Sequence, residues 1–478
     1  MALAYVAGLA ALAIPAYEAL NGSPILWSDE IKVQTLLLII IPAIALLFSV
    51  TSSRHSMAAS MYWTWSLIFA GLAVSYQLAI GRFPWGGVLQ AEDIYIAQRV
   101  LILGHVCVLL AFFVAGRFTK ETAEQPAAPL TGQHPKLQSA ATTVLLGHAG
   151  IAAVFAALMG SGLFSGRFAF QGAIASNGGI PGFATIMFLA QAGAVIVPTV
   201  GIVLRRAGAK IPSGVLLVSV AASAYVTNPF IGSRFLTGAF LVAFVAAIAS
   251  HRARRWLPVG MVLAFVTIFP TLDLLRGDGT GATEVKLSEP SETLTTFDYD
   301  AFEMLVREVS IQGEMPAGVP TTGELLIAPF LRFIPFISPL VEGDASGPAV
   351  AAVTGMPFFN VSMPLWGEAH LMGSWAGVAV VFLALGVMLA RTRSFTGGRG
   401  GIFGMLIEIP LSAMLFIILR GSLYEVLGYL LLAVTVAAVL AQKHRRDQEA
   451  TLRRSARAHK AGVSVLSGLR AVENARQH

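Results

Sequence analysis

Arg234, Arg276, Arg307, Arg332 and Arg420 lie at the ends of hydrophobic segments or in one polar loop. Arginine presents a planar fork of donors that grips phosphate oxygens two at a time, so five of them at one membrane face would suit a lipid-linked diphosphate. Arg234 closes a tight turn after Asn228-Pro-Phe-Ile-Gly-Ser, where a side chain has little freedom to reach for headgroups. Arg276 and Arg420 end apolar runs and equally suit headgroup snorkels. Arg307 stands four residues after Glu303, a helix-surface pairing worth about 0.2–0.5 kcal/mol. Glu368 and His370 open an apolar segment, where either could take a proton from a sugar hydroxyl; Glu368 could instead cap that helix. Asp298 and Asp300 form a close carboxylate pair in the polar loop, available for sugar contacts or as a helix cap. Glu408, beside Pro410 in an apolar run, is an intramembrane acid at the wrong depth for these groups, which leaves a structural partner or a relay.

The elements that must position these residues are transmembrane helices. The chain has 478 residues, 56% hydrophobic and 12% charged, with a mean hydropathy of +0.73. That is far too apolar for a soluble domain, and the apolar runs of about 17–24 residues match helical spans rather than barrel strands. The fold class is an all-α polytopic membrane protein. Twelve spans are expected, near 2–20, 34–51, 57–80, 95–116, 142–164, 183–204, 213–231, 235–250, 256–275, 370–390, 402–419 and 421–441. The first lacks the basic flank and the cleavage site of a signal peptide and reads as a retained helix. Cys107, the single cysteine, sits in an apolar run and suits packing.

An even count puts both termini on one side. If that side is cytoplasmic, the connections holding Arg54, Arg117, Lys120, Arg205, Arg206, Arg252, Arg254, Arg255, Arg391 and Arg393 satisfy the positive-inside rule. The tail 442–478 holds nine Lys/Arg and three Asp/Glu, which accounts for the whole formal charge of +6 and reads as a topology signal against anionic lipid, with no nucleic acid implied. The organisation is then spans one to nine over 1–273, an extracytoplasmic loop over 274–369, spans ten to twelve over 370–441, and the basic tail. The loop region carries thirteen acids between Asp278 and Glu368, half of the twenty-six in the chain. Phe302, Leu305, Val306 and Val309 fall at i, i+3, i+4 and i+7, predicting an amphipathic helix over 299–311 lying on the membrane surface. The apolar, Pro-broken stretch 324–337 predicts an interfacial or re-entrant segment with Arg332 at headgroup depth. The linker 118–141 reads as a flexible connector. No GxxxxGK[ST], HExxH, Cys/His cluster or G-x-S-x-G occurs, so the implied chemistry is metal-independent and needs no cofactor.

Several short motifs together resemble the O-antigen polymerase (Wzy-type) family of oligosaccharide repeat-unit polymerases. They are Gly367-Glu-Ala-His-Leu-Met-Gly-Ser-Trp-Ala-Gly-Val entering a span, Leu419-Arg420-Gly421-Ser422 between the last two spans, Gly-Ser-Arg at 232–234, Asp273-Leu-Leu-Arg276, and Phe297-Asp-Tyr-Asp-Ala-Phe. The resemblance covers about 213–441, and this chain has His370 where family members often have an aromatic. It implies a GT-C-like glycosyltransferase in the cytoplasmic (inner) membrane, using a polyprenyl-diphosphate-linked oligosaccharide as donor, with a flippase or chain-length regulator as further partners. By that analogy Arg234, Arg276, Arg307 and Arg420 neutralise the departing diphosphate, and Glu368 or His370 orients or deprotonates the acceptor. A glycan ligase shares this chemistry. A twelve-helix transporter would instead show matching halves and a midplane site, and the ionisable residues here gather at one face.

Overall fold

The computed structural model describes residues 14–23, 27–51, 56–118, 130, 134–163, 167–228, 234–262, 264–265, 293–312, 319–331, 346–356, 361–396, 401–421 and 423–475. Every element among them is helical. In chain order the main ones are α1 (Asp29–Thr51), α2 (Met57–Ile80), α3 (Ala91–Phe118), α4 (Pro135–Met159), α5 (Arg167–Asn177), α6 (Phe183–Arg206), α7 (Ser213–Val226) and α8 (Arg234–Ile248). After the polar loop region begins come α9 (Ala301–Ser310), α10 (Thr322–Leu331), α11 (Ser346–Val353), α12 (Leu365–Thr396), α13 (Gly401–Arg420) and α14 (Leu423–Ala475).

Eight of these, α1 to α4, α6 and α12 to α14, are long and apolar enough to cross a membrane, and the chain is a membrane-embedded helical protein. They coincide with eight of the twelve expected spans. The expected spans at 213–231 and 235–250 correspond to α7 and α8, of 14 and 15 residues, or about 21–23 Å at 1.5 Å per residue. Those near 2–20 and 256–275 lie partly outside the described residues.

The helix α2 is the core, buried along nearly all of its length. Its hydroxyls reach back to the carbonyl four residues earlier, as Thr64 does to Ser60 (2.8 Å), Ser66 to Tyr62 (3.0 Å) and Ser75 to Gly71 (2.8 Å). These hydroxyls therefore stay satisfied inside an apolar bundle. It widens into a π turn over Ser66–Leu72, where Gly71 passes so close to α1 that an added Cβ would stand 2.8 Å from the Leu38 carbonyl oxygen.

The tail is not a loose extension. α14 runs unbroken from Leu423 to Ala475, and Asp447 accepts from the amides of Lys136 (3.3 Å) and Leu137 (3.0 Å), closing the first turn of α4. The linker is likewise shorter than expected, because 135–141 is already helix and the Leu130 amide is tied to the Ala207 carbonyl at 2.7 Å.

A buried charged seam and an imidazole–carboxylate pair as the candidate functional site

The polar loop folds back onto one end of the bundle. Gln77 of α2 donates to the carbonyls of Leu294 (3.0 Å) and Tyr299 (2.9 Å). A file of stacked rings runs beside it: Trp366 on Trp65 at 5.3 Å, Trp65 on Phe69 at 5.0 Å, and Phe69 on Tyr299 at 5.2 Å between centroids. Offset aromatic pairs of this kind add about 0.5–1.5 kcal/mol each beyond their buried area. The helix α9 shows the expected i, i+3, i+4, i+7 pattern, yet neither side of it is left open as a surface helix would require. Phe302, Leu305, Val306 and Val309 are buried, and so are Glu303 and Glu308 on its other side. Bundle helices cover one face and α11 packs against it as well, which an amphipathic pattern cannot foretell.

Three of the five arginines converge here, each on a carboxylate of the loop. Arg234, which opens α8, meets Asp298 at 2.5 Å. Arg420, which ends α13, bonds Asp300 at 3.1 Å and the carbonyls of Asp298 (3.1 Å) and Phe297 (3.0 Å), with its guanidinium 4.3 Å from the Phe235 ring centre. Arg307 bonds Glu303 at 2.6 and 2.9 Å and the Gly86 carbonyl at 2.6 Å. The Trp85-Gly-Gly turn makes the last contact possible, since Gly86 and Gly87 take φ of 75° and 94°. Trp85 in turn donates its amide to Glu303 (2.7 Å) and its indole N–H to Asp300 (3.0 Å).

Asp300 stands at the N-cap position of α9 but makes no capping bond with its side chain. Burial pushes the carboxyls of Asp300 and Glu303 above their ordinary values, against the pull of Arg420 on the first and of Trp85 and Arg307 on the second. The bonds of Arg307 and Arg420 described above use Nε and Nη2, so Nη1 of each remains to meet a further anion. Arg276 and Arg332 lie outside the described residues.

Glu368 and His370 sit on a turn that the sequence places at the start of a span. In the structure α12 breaks at Gly373 and Ser374, the latter with φ of 51°, and Gly377 lies so close to the preceding turn that a Cβ there would meet the Ala369 carbonyl. The residues 365–372 are thus a separate, buried half-helix. Its Trp366 packs against the bare backbone of Gly104, where an added Cβ would collide with the indole nitrogen.

Glu368 accepts from the Ser346 hydroxyl and from the Leu423 amide, each at 2.6 Å, and so caps α14 rather than its own helix. His370 faces Glu308, with Nδ1 at 2.9 Å from Oε2. Gln312 lies 2.8 Å from the same nitrogen, but its amide also reaches Glu308 Oε1 (3.1 Å) and the His370 carbonyl (3.3 Å). Those two acceptors let Nδ1–H point at Glu308, which leaves Nε2 as the basic nitrogen. Burial raises the Glu308 carboxyl above its ordinary value, while the hydrogen bond from His370 opposes that shift.

Sequence reasoning missed Glu308, Trp85 and Gln312. Glu308 carries no motif, and only the packing of α9 against the half-helix reveals it. The Trp-Gly-Gly turn was a visible signal. Arg99 was missed too: it is exposed on α3, and its guanidinium lies 5.7 Å from the centre of Trp375, whose ring in turn meets His370 edge-on at 5.8 Å. Among the described residues no three His, Cys, Asp or Glu side chains gather as a metal site requires.

At the bundle's other end, Glu408 accepts from the Met57 amide at 3.0 Å. That contact is the structural partner considered above, closing the buried N-terminus of α2. Comparison of the chain with protein-family models, with curated proteins and with solved structures finds no match.

Proposed function

We propose that this protein is a membrane glycosyltransferase of the GT-C type, a polysaccharide polymerase whose donor is a polyprenyl-diphosphate-linked glycan. The observation that carries the reading is the gathering, at one end of the bundle, of three arginines and a carboxylate-oriented imidazole under one loop. The acceptor hydroxyl, on the non-reducing end of a second lipid-linked unit, gives its proton to Nε2 of His370 as its oxygen bonds the donor anomeric carbon. Glu308 holds the ring and stabilises the imidazolium, the role a buried carboxylate plays beside a catalytic histidine. The anomeric C–O bond to the diphosphate breaks with its electron pair leaving on oxygen. Nη1 of Arg307 and Arg420 meets that charge, where preorganised cations help most. Arg234, with Asp298, and Arg420, with Asp300, hold the loop in place, and Asp298 and Asp300 form the floor on which the sugar would rest.

Thr322 ties α10 to the Met372 carbonyl at 2.9 Å beside His370, which is only 2% exposed, and in this reading α10 swings aside to admit the acceptor. α10 exposes Leu326, Ile327 and Phe330, an apolar face suited to sliding along lipid. In this reading the loop face is extracytoplasmic, both termini are cytoplasmic, and the membrane is the cytoplasmic one. Purified protein given a polyprenyl-diphosphate oligosaccharide should build a ladder of products, and His370→Ala should abolish it with the fold intact. Transfer to a different acceptor without a ladder would make the protein a ligase. Unaltered substrate would overturn both enzymatic readings in favour of transport.

A further inference from the structure

At the end of the bundle away from the seam, a groove of about 810 Å³ opens between α6, α7 and α8. Its walls are Ile202, Leu216, Leu217, Val220, Phe244 and Ile248, and its rim carries Arg205, Arg206 and Ser213. The volume lies in the range of ligand pockets, which are mostly apolar with a few placed polar groups. The two arginines differ in what they do. Arg206 donates through Nη1 to the carbonyls of Ala247 (2.8 Å) and Ala249 (2.9 Å), which caps the end of α8 and fixes the guanidinium at the groove mouth. Arg205 is exposed, and Lys210 is exposed a few residues on. Gly214 adds nothing to the rim, since a Cβ there would meet nothing within 4 Å. The described lengths of the helices α7 and α8 that wall the groove are about 21–23 Å.

We propose that this groove is a binding site for one anionic phospholipid, its phosphate on Arg205 and Arg206 and one acyl chain along the wall of Leu216, Leu217 and Val220. Hydrocarbon walls select a lipid over a soluble anion. The cations at a single end select an anionic headgroup over a neutral one. The site is independent of the transferase reading, because it lies at the far end of α8 from Arg234.

Native mass spectrometry of the full-length protein, released from detergent with phosphatidylglycerol or with phosphatidylcholine of the same chains, tests this. The wild type should retain one phosphatidylglycerol with a preference of at least about fivefold, the scale of one arginine near a charged surface. Arg205→Gln should lower that preference by about fivefold, while Leu217→Trp, which fills the groove from an exposed position, should lower retention of both lipids. Inorganic phosphate should not compete. Equal retention of the two lipids by the wild type, unchanged preference in Arg205→Gln, or displacement by phosphate alone would each overturn the assignment.

Discussion

At the loop end of the bundle, Arg234, Arg307 and Arg420 each meet a carboxylate between Asp298 and Glu303. At the opposite end, Glu408 and Asp447 meet backbone amides, while Arg206 and Arg254 meet the carbonyls that end α8, with Arg254 bonding Ala246 at 2.7 Å. The basic end uses its charges mainly on helix termini, where four amides or four carbonyls would otherwise stay unsatisfied, although Arg254 and Glu408 there also attract each other. The loop end pairs charge with charge across elements far apart in sequence. Helix caps are purely architectural, whereas a seam of paired ions can be opened by a ligand that brings its own charge. In the proposed function the loop end is the place for chemistry and the basic end is scaffold.

The comparison breaks most sharply at Arg234. Arg234→Ala leaves Asp298 buried without that partner and should cost about 3–5 kcal/mol of stability, read as a lowered unfolding midpoint in detergent, and Asp298→Asn added to it should restore part of the loss. A single variant that keeps its midpoint but makes no polymer would move Arg234 from holding the loop to holding substrate.

At the basic end the effects should be smaller and confined to stability. Glu408→Ala strands the buried Met57 amide and should cost about 1–3 kcal/mol. Asp447→Ala removes a cap, for about 0.5–2 kcal/mol. Product ladders from either protein that shorten out of proportion to the folded fraction would contradict the division between the ends.

The smallest effect sharpens the comparison through pH. The folded-state carboxyl of Glu308 lies above its ordinary 4.5, so the native protein binds that proton more readily than the unfolded chain. Stability should therefore fall as pH rises from 4.5 to the folded value and then level off. Glu308→Gln should flatten that fall without removing it, because Asp300 and Glu303 are shifted in the same direction. Identical slopes for the two proteins, measured by thermal unfolding across the range, would take Glu308 out of the titrating seam.

Much of this could be read from local pattern. Eight of the spans, the periodicity of α9 and the pairing of Arg307 with Glu303 follow from spacing and residue type, whereas the break at Gly373 and Ser374 falls inside a segment expected to be one continuous span. What escaped was whatever depends on contacts between remote segments. Glu408 looked like a suspect acid because a carboxylate in an apolar run signals function when its partner is unknown, and its partner is an amide 351 positions away. Asp298 and Asp300 looked like caps because they precede a helix, but two arginines from other helices hold them more strongly than a local amide would.

The sequence by itself determined that the chain lives in a membrane as helices, since runs of that length and apolarity have no other stable state in or out of lipid. It also determined which residues carry unusual charge near the spans. Only the tertiary structure decided what each charge does. It set Glu308 against His370, moved Glu368 to the start of α14, gave each of three arginines an acid, and left a cationic groove at the far end of α8. A side chain's chemistry depends on burial and on partners within about 3 Å, and in a helical bundle those partners come from segments that sequence spacing does not relate.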